Sequence, residues 1–171
     1  YVTLNNVTVY GKIIASGAGE SNKGDCSIIL KNCTAPEMIV DSPSNQYVTI
    51  RTVGNTDIDK VYVRTDTYLE GKSTGRHGFQ YIEVDGESGT RLDLAGNIHE
   101  VVTVAPKSEI NVGSGTVKKM TVDENAVDST VTIAQGAAVE ELNLDTGAAV
   151  TGKGAIGTLN VNAPGCKVEM L

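Results

Sequence analysis

The sequence predicts an all-β fold, a single-stranded right-handed parallel β-helix that forms one solenoid domain over residues 1–171. Three observations predict it. Apolar-polar-apolar triplets recur at a nearly constant spacing, turn-forming residues lie between them, and no stretch has the apolar period of a helix. Such triplets bury one face of a strand and leave the other face wet. We therefore expect about eight triangular coils of about 17–22 residues each.

The repeat is clearest in the C-terminal half of the chain. The steps between successive first triplets are 18, 21, 19 and 18 residues, counted from Leu92, Ile110, Val131, Val150 and Val168. A second triplet follows in each coil, and single apolar residues mark a third, short side. These single residues are Ile58, Ile98, Val117, Val139 and Ile156. Three short sides in each coil predict a triangular cross-section.

The right-handed sense is predicted from the irregularity of the coils. Apolar residues between Leu92 and Ile110 fall six apart, as they would in a left-handed hexapeptide solenoid. That register is lost after Ile110, where the next apolar positions are Val117 and Val122. Loops such as residues 123–129 also interrupt the coils, and this irregularity favours the right-handed type.

The composition predicts a narrow core and excludes some classes of partner. Aromatic residues make up 4% of the chain, so Val, Ile and Leu have to fill the core, which suits a narrow tube. The formal net charge is −7, and nucleic acid is not an expected partner because phosphate binding needs clustered Lys and Arg. No apolar run is long enough to span a bilayer. We expect free thiols at Cys26, Cys33 and Cys166, which do not form a disulfide framework.

Two stretches of the sequence resemble a known family. The first is residues 2–14, VTLNNVTVYGKII, followed by residues 29–34, ILKNCT. The second is Leu142-Asn143-Leu144 followed by residues 150–163, VTGKGAIGTLNVNA. Both are similar to the β-helical region of large secreted surface proteins of Gram-positive bacteria, many of which carry S-layer homology modules. The resemblance implies an extracellular location in the cell envelope and no known catalysis. Because the chain begins inside a strand-like pattern at residues 1–4, we also expect it to be a fragment of a longer surface protein with other modules.

Polymer formation is an alternative that the solenoid leaves open. Bactofilins, which are cytoskeletal polymers, share the triangular solenoid, but their coils are more regular than those of this chain. Long insertions are predicted around residues 17–25 and 71–78. Residues 168–171 end in a strand without a visible cap, and an unpaired coil invites pairing with another copy. End-to-end self-association is therefore one expected kind of partner.

Few side chains fit a catalytic or metal site. His77 and His99 have no second His or Cys at ligand spacing, so zinc is not expected. Residues 152–157 match a dinucleotide-binding glycine pattern but fall at a predicted corner, with no helix to hold a phosphate. Lyases of the β-helix type hold calcium with carboxylates, so calcium is the one cofactor left open. The acidic candidates are Asp57, Asp59, Asp66, Asp123, Glu124 and Asp128.

A glycine-rich segment, residues 71–81, holds the chain's single Phe together with a His and an Arg. If the apolar residues of the neighbouring triplets point inward, Tyr62 and Tyr81 point outward, as do Arg51 and Arg91 in nearby coils. Exposed aromatic rings with Arg can bind a sugar chain by stacking and bidentate hydrogen bonds. The candidate ligand-binding residues are Arg76, His77, Phe79, Tyr81, Tyr62 and Arg64. Ladders of similar side chains also decorate solenoids that bind nothing.

These observations favour a non-enzymatic, structural or adhesive segment of a bacterial cell-surface protein. The alternative is a carbohydrate-binding module whose ligand is a cell-wall or other extracellular polysaccharide. A calcium-dependent polysaccharide lyase or hydrolase and a bactofilin-like polymer are less favoured, because neither a catalytic group of residues nor a regular coil is visible.

Overall fold

The computed structural model describes residues 2–17, 26–44 and 46–171, which form 17 β-strands and no helix. In chain order the strands are β1 (Val2–Asn5), β2 (Lys12–Ala15), β3 (Ile28–Lys31), β4 (Thr34–Val40), β5 (Val48–Gly54), β6 (Asp57–Val63), β7 (Thr67–Ser73), β8 (Gly78–Phe79), β9 (Ile82–Val84), β10 (Arg91–Thr103), β11 (Glu109–Val112), β12 (Thr116–Val122), β13 (Ser129–Ile133), β14 (Ala138–Leu144), β15 (Ala148–Gly152), β16 (Ala155–Val161) and β17 (Lys167–Met170).

The strands stack in parallel on two sheets. Sheet A contains β1, β3, β5, β7, the first part of β10, β11, β13, β15 and β17. Sheet B contains β2, β4, β6, β8, β9, the second part of β10, β12, β14 and β16. The chain passes from one sheet to the other in every turn, and each rung pairs with the rung one turn later. The fold is a parallel β-solenoid of about seven turns, counted as steps between the described rungs of sheet B.

The predicted all-β parallel solenoid is confirmed, and about seven turns are close to the about eight that the repeat predicts. The right-handed sense stays a prediction. The insertion predicted around residues 17–25 lies, from residue 18 onward, outside the described residues. The insertion predicted around residues 71–78 is wrong in extent. Strand β7 continues to Ser73 and β8 begins at Gly78, so only residues 74–77 form a turn.

A bend within sheet B produces the third side of the cross-section. Between β10 and β12, Ile98 pairs with Val117 and Glu100 pairs with Lys119, while the one residue between them on each strand forms no ladder pair. This gap in the ladder separates a short side from a longer one. Val117 pairs onward with Val139, which pairs with Ile156, so the predicted column of single apolar residues is confirmed.

Columns of apolar side chains fill the tube. On sheet A, Ile110 pairs with Val131 and Val131 pairs with Val150, and all three side chains are fully buried. On sheet B, Met120 and Leu142 form a second buried column. Each buried residue therefore lies on the equivalent residue of the next turn, and stability is close to a sum of neighbour terms.

One corner, between sheet A and the short side of sheet B, repeats a left-handed backbone conformation. The residues with positive φ at this corner are Asn6, Asn32, Gly54, Gly75, Gly96, Gly115 and Gly136, with φ between 51° and 84°. Glycine and, less often, asparagine tolerate this region, which is why these two residue types follow the strands of sheet A. Gly96 and Gly115 also approach the backbone of the preceding turn closely.

A buried hydroxyl at Thr56 joins two neighbouring turns of the backbone at the same corner. The side chain of Thr56 is fully buried. Its Oγ1 lies 2.9 Å from the carbonyl oxygens of both Leu30 and Val53, and it accepts a hydrogen bond from the Cys33 amide at 3.1 Å. The Thr56 hydroxyl therefore provides hydrogen-bond partners for backbone groups that are buried away from water.

Thr56→Val is expected to lower the free energy of unfolding by about 1–3 kcal/mol, because it leaves the buried Cys33 amide without an acceptor. Urea denaturation followed by circular dichroism measures this change. The matched control is Thr151→Val on the wet face of β15, where Thr151 is exposed and the effect should stay within about 0.5 kcal/mol. Equal effects of the two changes would contradict a structural role for the Thr56 hydroxyl.

Candidate functional site

The outward face of sheet B carries three of the predicted ligand-binding residues. Tyr62 and Tyr81 are half-buried, and the Tyr81 hydroxyl donates a hydrogen bond to Glu83 at 2.8 Å. Burial of the ring, followed by the hydrogen bond and the charge of Glu83, raises the pKa of Tyr81. Arg64 is exposed and pairs with Asp85, with Nε 3.4 Å from Oδ1. The predicted outward orientation of these side chains is confirmed, and ligand binding by them stays a prediction.

The turn at residues 74–77 holds Arg76 and His77. Arg76 is exposed. His77 is half-buried, and its Nδ1 lies 2.6 Å from Oδ2 of Asp57. Gln80 donates to the other Asp57 oxygen at 3.0 Å and to the Arg76 carbonyl oxygen at 2.9 Å. His77 and Asp57 therefore hold the turn against sheet B, which accounts for both side chains without a ligand.

Phe79 does not belong to a surface site. Its ring is 0% exposed, and Phe79 pairs with Ile58 on the short side of sheet B, where the side chains point into the core. A ring in this position has no access to a polysaccharide. Arg51 and Arg91, which the sequence places outward in nearby coils, belong to sheet A and not to the face of Tyr62 and Tyr81.

A second group of side chains lies on the outward face of sheet A, and we name it the sheet A cleft. It consists of Tyr47, Tyr68, Arg91, Asp93 and Asn111. Asp93 of β10 pairs with Tyr68 of β7 on one side and with Asn111 of β11 on the other. These three residues therefore stand side by side on consecutive turns, each at the middle position of its triplet.

Asp93 is the centre of the polar contacts in the sheet A cleft. The Tyr47 hydroxyl donates to Oδ2 of Asp93, and Asn111 Nδ2 donates to Oδ1 at 2.8 Å. Arg91 Nε lies 3.1 Å from Oδ2, and its guanidinium lies 4.9 Å from the Tyr47 ring centroid. A cation over a ring at this distance is attracted by the negative face of the ring. The Tyr47 ring is thus held by Asp93 at its hydroxyl and by the Arg91 guanidinium at its face.

The cleft itself has a volume of about 470 Å³. Both tyrosines, Asp93 and Asn111 line it, together with the turn at residues 113–114. Tyr47 is 43% exposed, while Tyr68 is half-buried beside it. The cleft therefore combines aromatic surface with hydrogen-bonding groups in fixed positions.

A group of three paired charges lies next to the cleft on the same sheet. Glu70 is buried and contacts Arg51 Nε at 3.1 Å and Lys72 Nζ at 3.0 Å. Burial by itself raises the pKa of Glu70, but the hydrogen bonds and charges of Lys72 and Arg51 lower it below its ordinary value. Burial, followed by the charge of Glu70, raises the pKa of Tyr68 to about 12. The Tyr68 hydroxyl therefore keeps its proton at neutral pH.

Sequence reasoning missed Tyr47, Asp93 and Asn111. An alignment of the triplets could have found part of the group, because Tyr68, Asp93 and Asn111 all occupy the middle position of a first triplet. No pattern in the sequence indicates the contact between Tyr47 and Asp93. Tyr47 precedes β5, and its side chain reaches a carboxylate 46 residues away.

Within the three described ranges, no group of three or more His, Cys, Asp or Glu side chains is placed to hold a metal ion. Of the acidic candidates, Asp57 contacts His77, and Asp66 accepts a hydrogen bond from the Arg91 amide at 2.9 Å. Calcium binding stays a prediction. None of the three cysteines forms a disulfide, as predicted. In the part of the chain that the structure describes, no helix is long and apolar enough to cross a membrane.

Comparison with known proteins identifies a structural relative. No protein-family model matches the chain, and no curated protein matches it in sequence. The chain superposes on chitinase ChiW from Paenibacillus sp. str. FPU-7, a multi-modular enzyme machinery expressed on the bacterial cell surface, with a TM-score of 0.66 and 23% sequence identity. The match covers 100% of this chain and 14% of that one. The chain therefore shares its β-solenoid fold with a small part of a multi-modular cell-surface protein.

Proposed function

We propose that this chain is a non-catalytic, rigid solenoid module of a bacterial cell-surface protein, which holds other modules of that protein apart. The observation that carries the proposal is the continuous parallel ladder, in which every described rung pairs with the next from β1 to β17. The seven steps between the rungs of sheet B, at about 4.8 Å each, make a rod about 34 Å long. Such a rod resists bending because each turn is hydrogen-bonded to its neighbour along three sides.

The comparison supports an extracellular position for this module. Its structural relative is a cell-surface protein with several modules, and the chain matches 14% of it. An adhesive role and an S-layer context belong to the same proposal. End-to-end self-association stays a prediction.

The contacts of the outward carboxylates support a non-catalytic role. A general acid or base has to be within hydrogen-bond reach of the substrate proton that it transfers. Asp57 contacts His77, and Glu70 contacts Arg51 and Lys72. The carboxylates at the centre of each group are therefore engaged with neighbouring side chains of the protein.

Incubation of the chain with chitin, plant polysaccharides and acidic polysaccharides, with and without calcium, tests the proposal. We expect no new reducing ends and no unsaturated products in any tube, and small-angle X-ray scattering should show a compact rod. Calcium-dependent release of products would contradict the proposal and favour a lyase. Filaments of the isolated chain in electron micrographs would instead favour a cytoskeletal polymer.

Polysaccharide binding by the module is a second candidate function. The specific observation that favours it is a 470 Å³ cleft lined by two tyrosines, a carboxylate and an amide. Tyrosine offers large, rigid contact area together with a polar end, as a ligand with apolar and hydroxyl-bearing faces requires. The ligand would be a cell-wall or other extracellular polysaccharide.

A further inference from the structure

We infer that the sheet A cleft is a binding site for a neutral polysaccharide chain, which lies across the strands of sheet A with successive sugars facing successive turns. The inference rests on the second candidate function and assigns a site and a ligand class to it. Its residues are Tyr47, Tyr68, Asp93 and Asn111, with Arg91 as the side chain that positions the Tyr47 ring. The sequence predicts a different face, that of Tyr62 and Tyr81.

The two tyrosines supply the apolar half of the site. Tyr68 is held in the sheet by burial, and Tyr47 is held by Asp93 and by the Arg91 guanidinium over its ring. Rings that are fixed before binding lose little rotamer freedom when a ligand arrives, so more of the contact energy appears as affinity. The C–H face of a pyranose ring packs on an aromatic ring in the same way as an aliphatic side chain does.

Asp93 and Asn111 supply the polar half. Asp93 accepts one hydrogen bond at each carboxylate oxygen from Tyr47 and Asn111, and each ionised oxygen has about two acceptor positions. The Asn111 amide uses one of its two N–H groups on Asp93 and retains a second donor and its carbonyl oxygen. Sugar hydroxyls both donate and accept hydrogen bonds, so they match this pair of groups.

The charges at the site favour a neutral ligand. Asp93 is paired with Arg91, and the neighbouring Glu70 is paired with both Arg51 and Lys72, so each carboxylate already has a cation beside it. The chain has a formal net charge of −7, which repels an anionic polymer over the range of the Debye length. A cationic polymer would have to displace an arginine or lysine from its carboxylate. An uncharged polysaccharide is not repelled by the net charge and does not have to displace a cation from its carboxylate.

The spacing of the side chains fits a polymer. Tyr68, Asp93 and Asn111 lie on three consecutive turns, about 4.8 Å apart from one turn to the next. That step is close to the length of one pyranose unit. Gly113 and Ser114 line the cleft next to Asn111 and carry no bulky side chain that would block its path.

Affinity electrophoresis of the full chain tests the inference, in gels that contain a neutral β-glucan, xyloglucan or glycol chitin, with polygalacturonate as the anionic comparison. We expect at least one neutral polysaccharide to retard the protein and polygalacturonate to have no effect. Tyr47→Ala and Tyr68→Ala should each weaken binding about tenfold or more, as the loss of an aromatic anchor does. Tyr81→Ala on sheet B should bind as the unchanged protein does.

Thermal melts of each variant separate lost binding from lost structure. Tyr47 is 43% exposed, so Tyr47→Ala should retain the fold even if Tyr68→Ala is less stable. Unchanged retardation of both variants would overturn the site and leave polysaccharide binding standing. Loss only in Tyr81→Ala would move the site to sheet B. Retardation by polygalacturonate alone would contradict the inference that the ligand is neutral. No retardation in any gel would contradict both the site and polysaccharide binding, while the proposal of a rigid module would still stand.

Discussion

Gly115→Ala is expected to lower the free energy of unfolding by about 2–5 kcal/mol, the sum of a strained backbone and a steric clash. Gly115 has a φ of +75°, and a Cβ at this position would lie 2.0 Å from the carbonyl oxygen of Gly96. The clash is with backbone, which cannot move without disturbing the pairing of β10 with β12. Urea denaturation followed by circular dichroism measures the loss.

Gly136→Ala is the matched control, because Gly136 occupies the same corner one turn later. Its φ is +84°, and no heavy atom would lie within 4 Å of an added Cβ. Only the backbone strain of about 1–2 kcal/mol should appear there. If Gly115→Ala and Gly136→Ala destabilise the protein equally, the close approach of the two turns at Gly115 does not contribute to the effect.

Phe79→Ala is expected to destabilise the protein by about 3–5 kcal/mol, as the removal of a large ring from a packed core does. Phe79 is among the largest fully buried side chains, and the short side of sheet B gives its neighbours little room to fill the space. Thermal and urea denaturation both measure the loss. Tyr10→Ala is the control, because Tyr10 is 92% exposed and its loss should cost no more than about 0.5 kcal/mol.

The Phe79 variant also distinguishes a core role from a ligand-binding role. Under conditions where Phe79→Ala remains folded, we expect its retardation by polysaccharide to equal that of the unchanged protein. If Phe79→Ala has normal stability but no longer binds polysaccharide, the result would contradict the burial of Phe79 and would support its role in ligand binding.

Much of the fold could be predicted because the triplets act locally. Successive side chains of a strand alternate between its faces, so Val61 and Val63 point inward whenever Tyr62 points outward. The single apolar residues Ile98 and Val117 were predicted on the third side for the same reason, and they pair there. The left-handed corner between the two sheets follows from glycine and asparagine, which tolerate positive φ more readily than most other residues.

The error at Phe79 has a physical cause. Gly71, Lys72 and Ser73 are weak strand formers, so the sequence predicts an insertion where β7 continues. That placed Phe79 in an exposed loop, whereas strand pairing with Ile58 puts it in the core. Tertiary pairing overrode local propensity at these residues.

The local pattern of residues specifies the solenoid, its three sides and the inward or outward direction of most strand residues, because these depend on a two-residue period within single strands. Which outward residues meet depends instead on the stacking of the turns. Thr49, Tyr68, Asp93 and Asn111 stand on consecutive turns, yet the steps between them are 19, 25 and 18 residues. The solenoid tolerates loops of different length between its strands while the ladder keeps its register. The contact of Tyr47 with Asp93, and with it the sheet A cleft, therefore follows from how the turns stack and not from the pattern within any one of them.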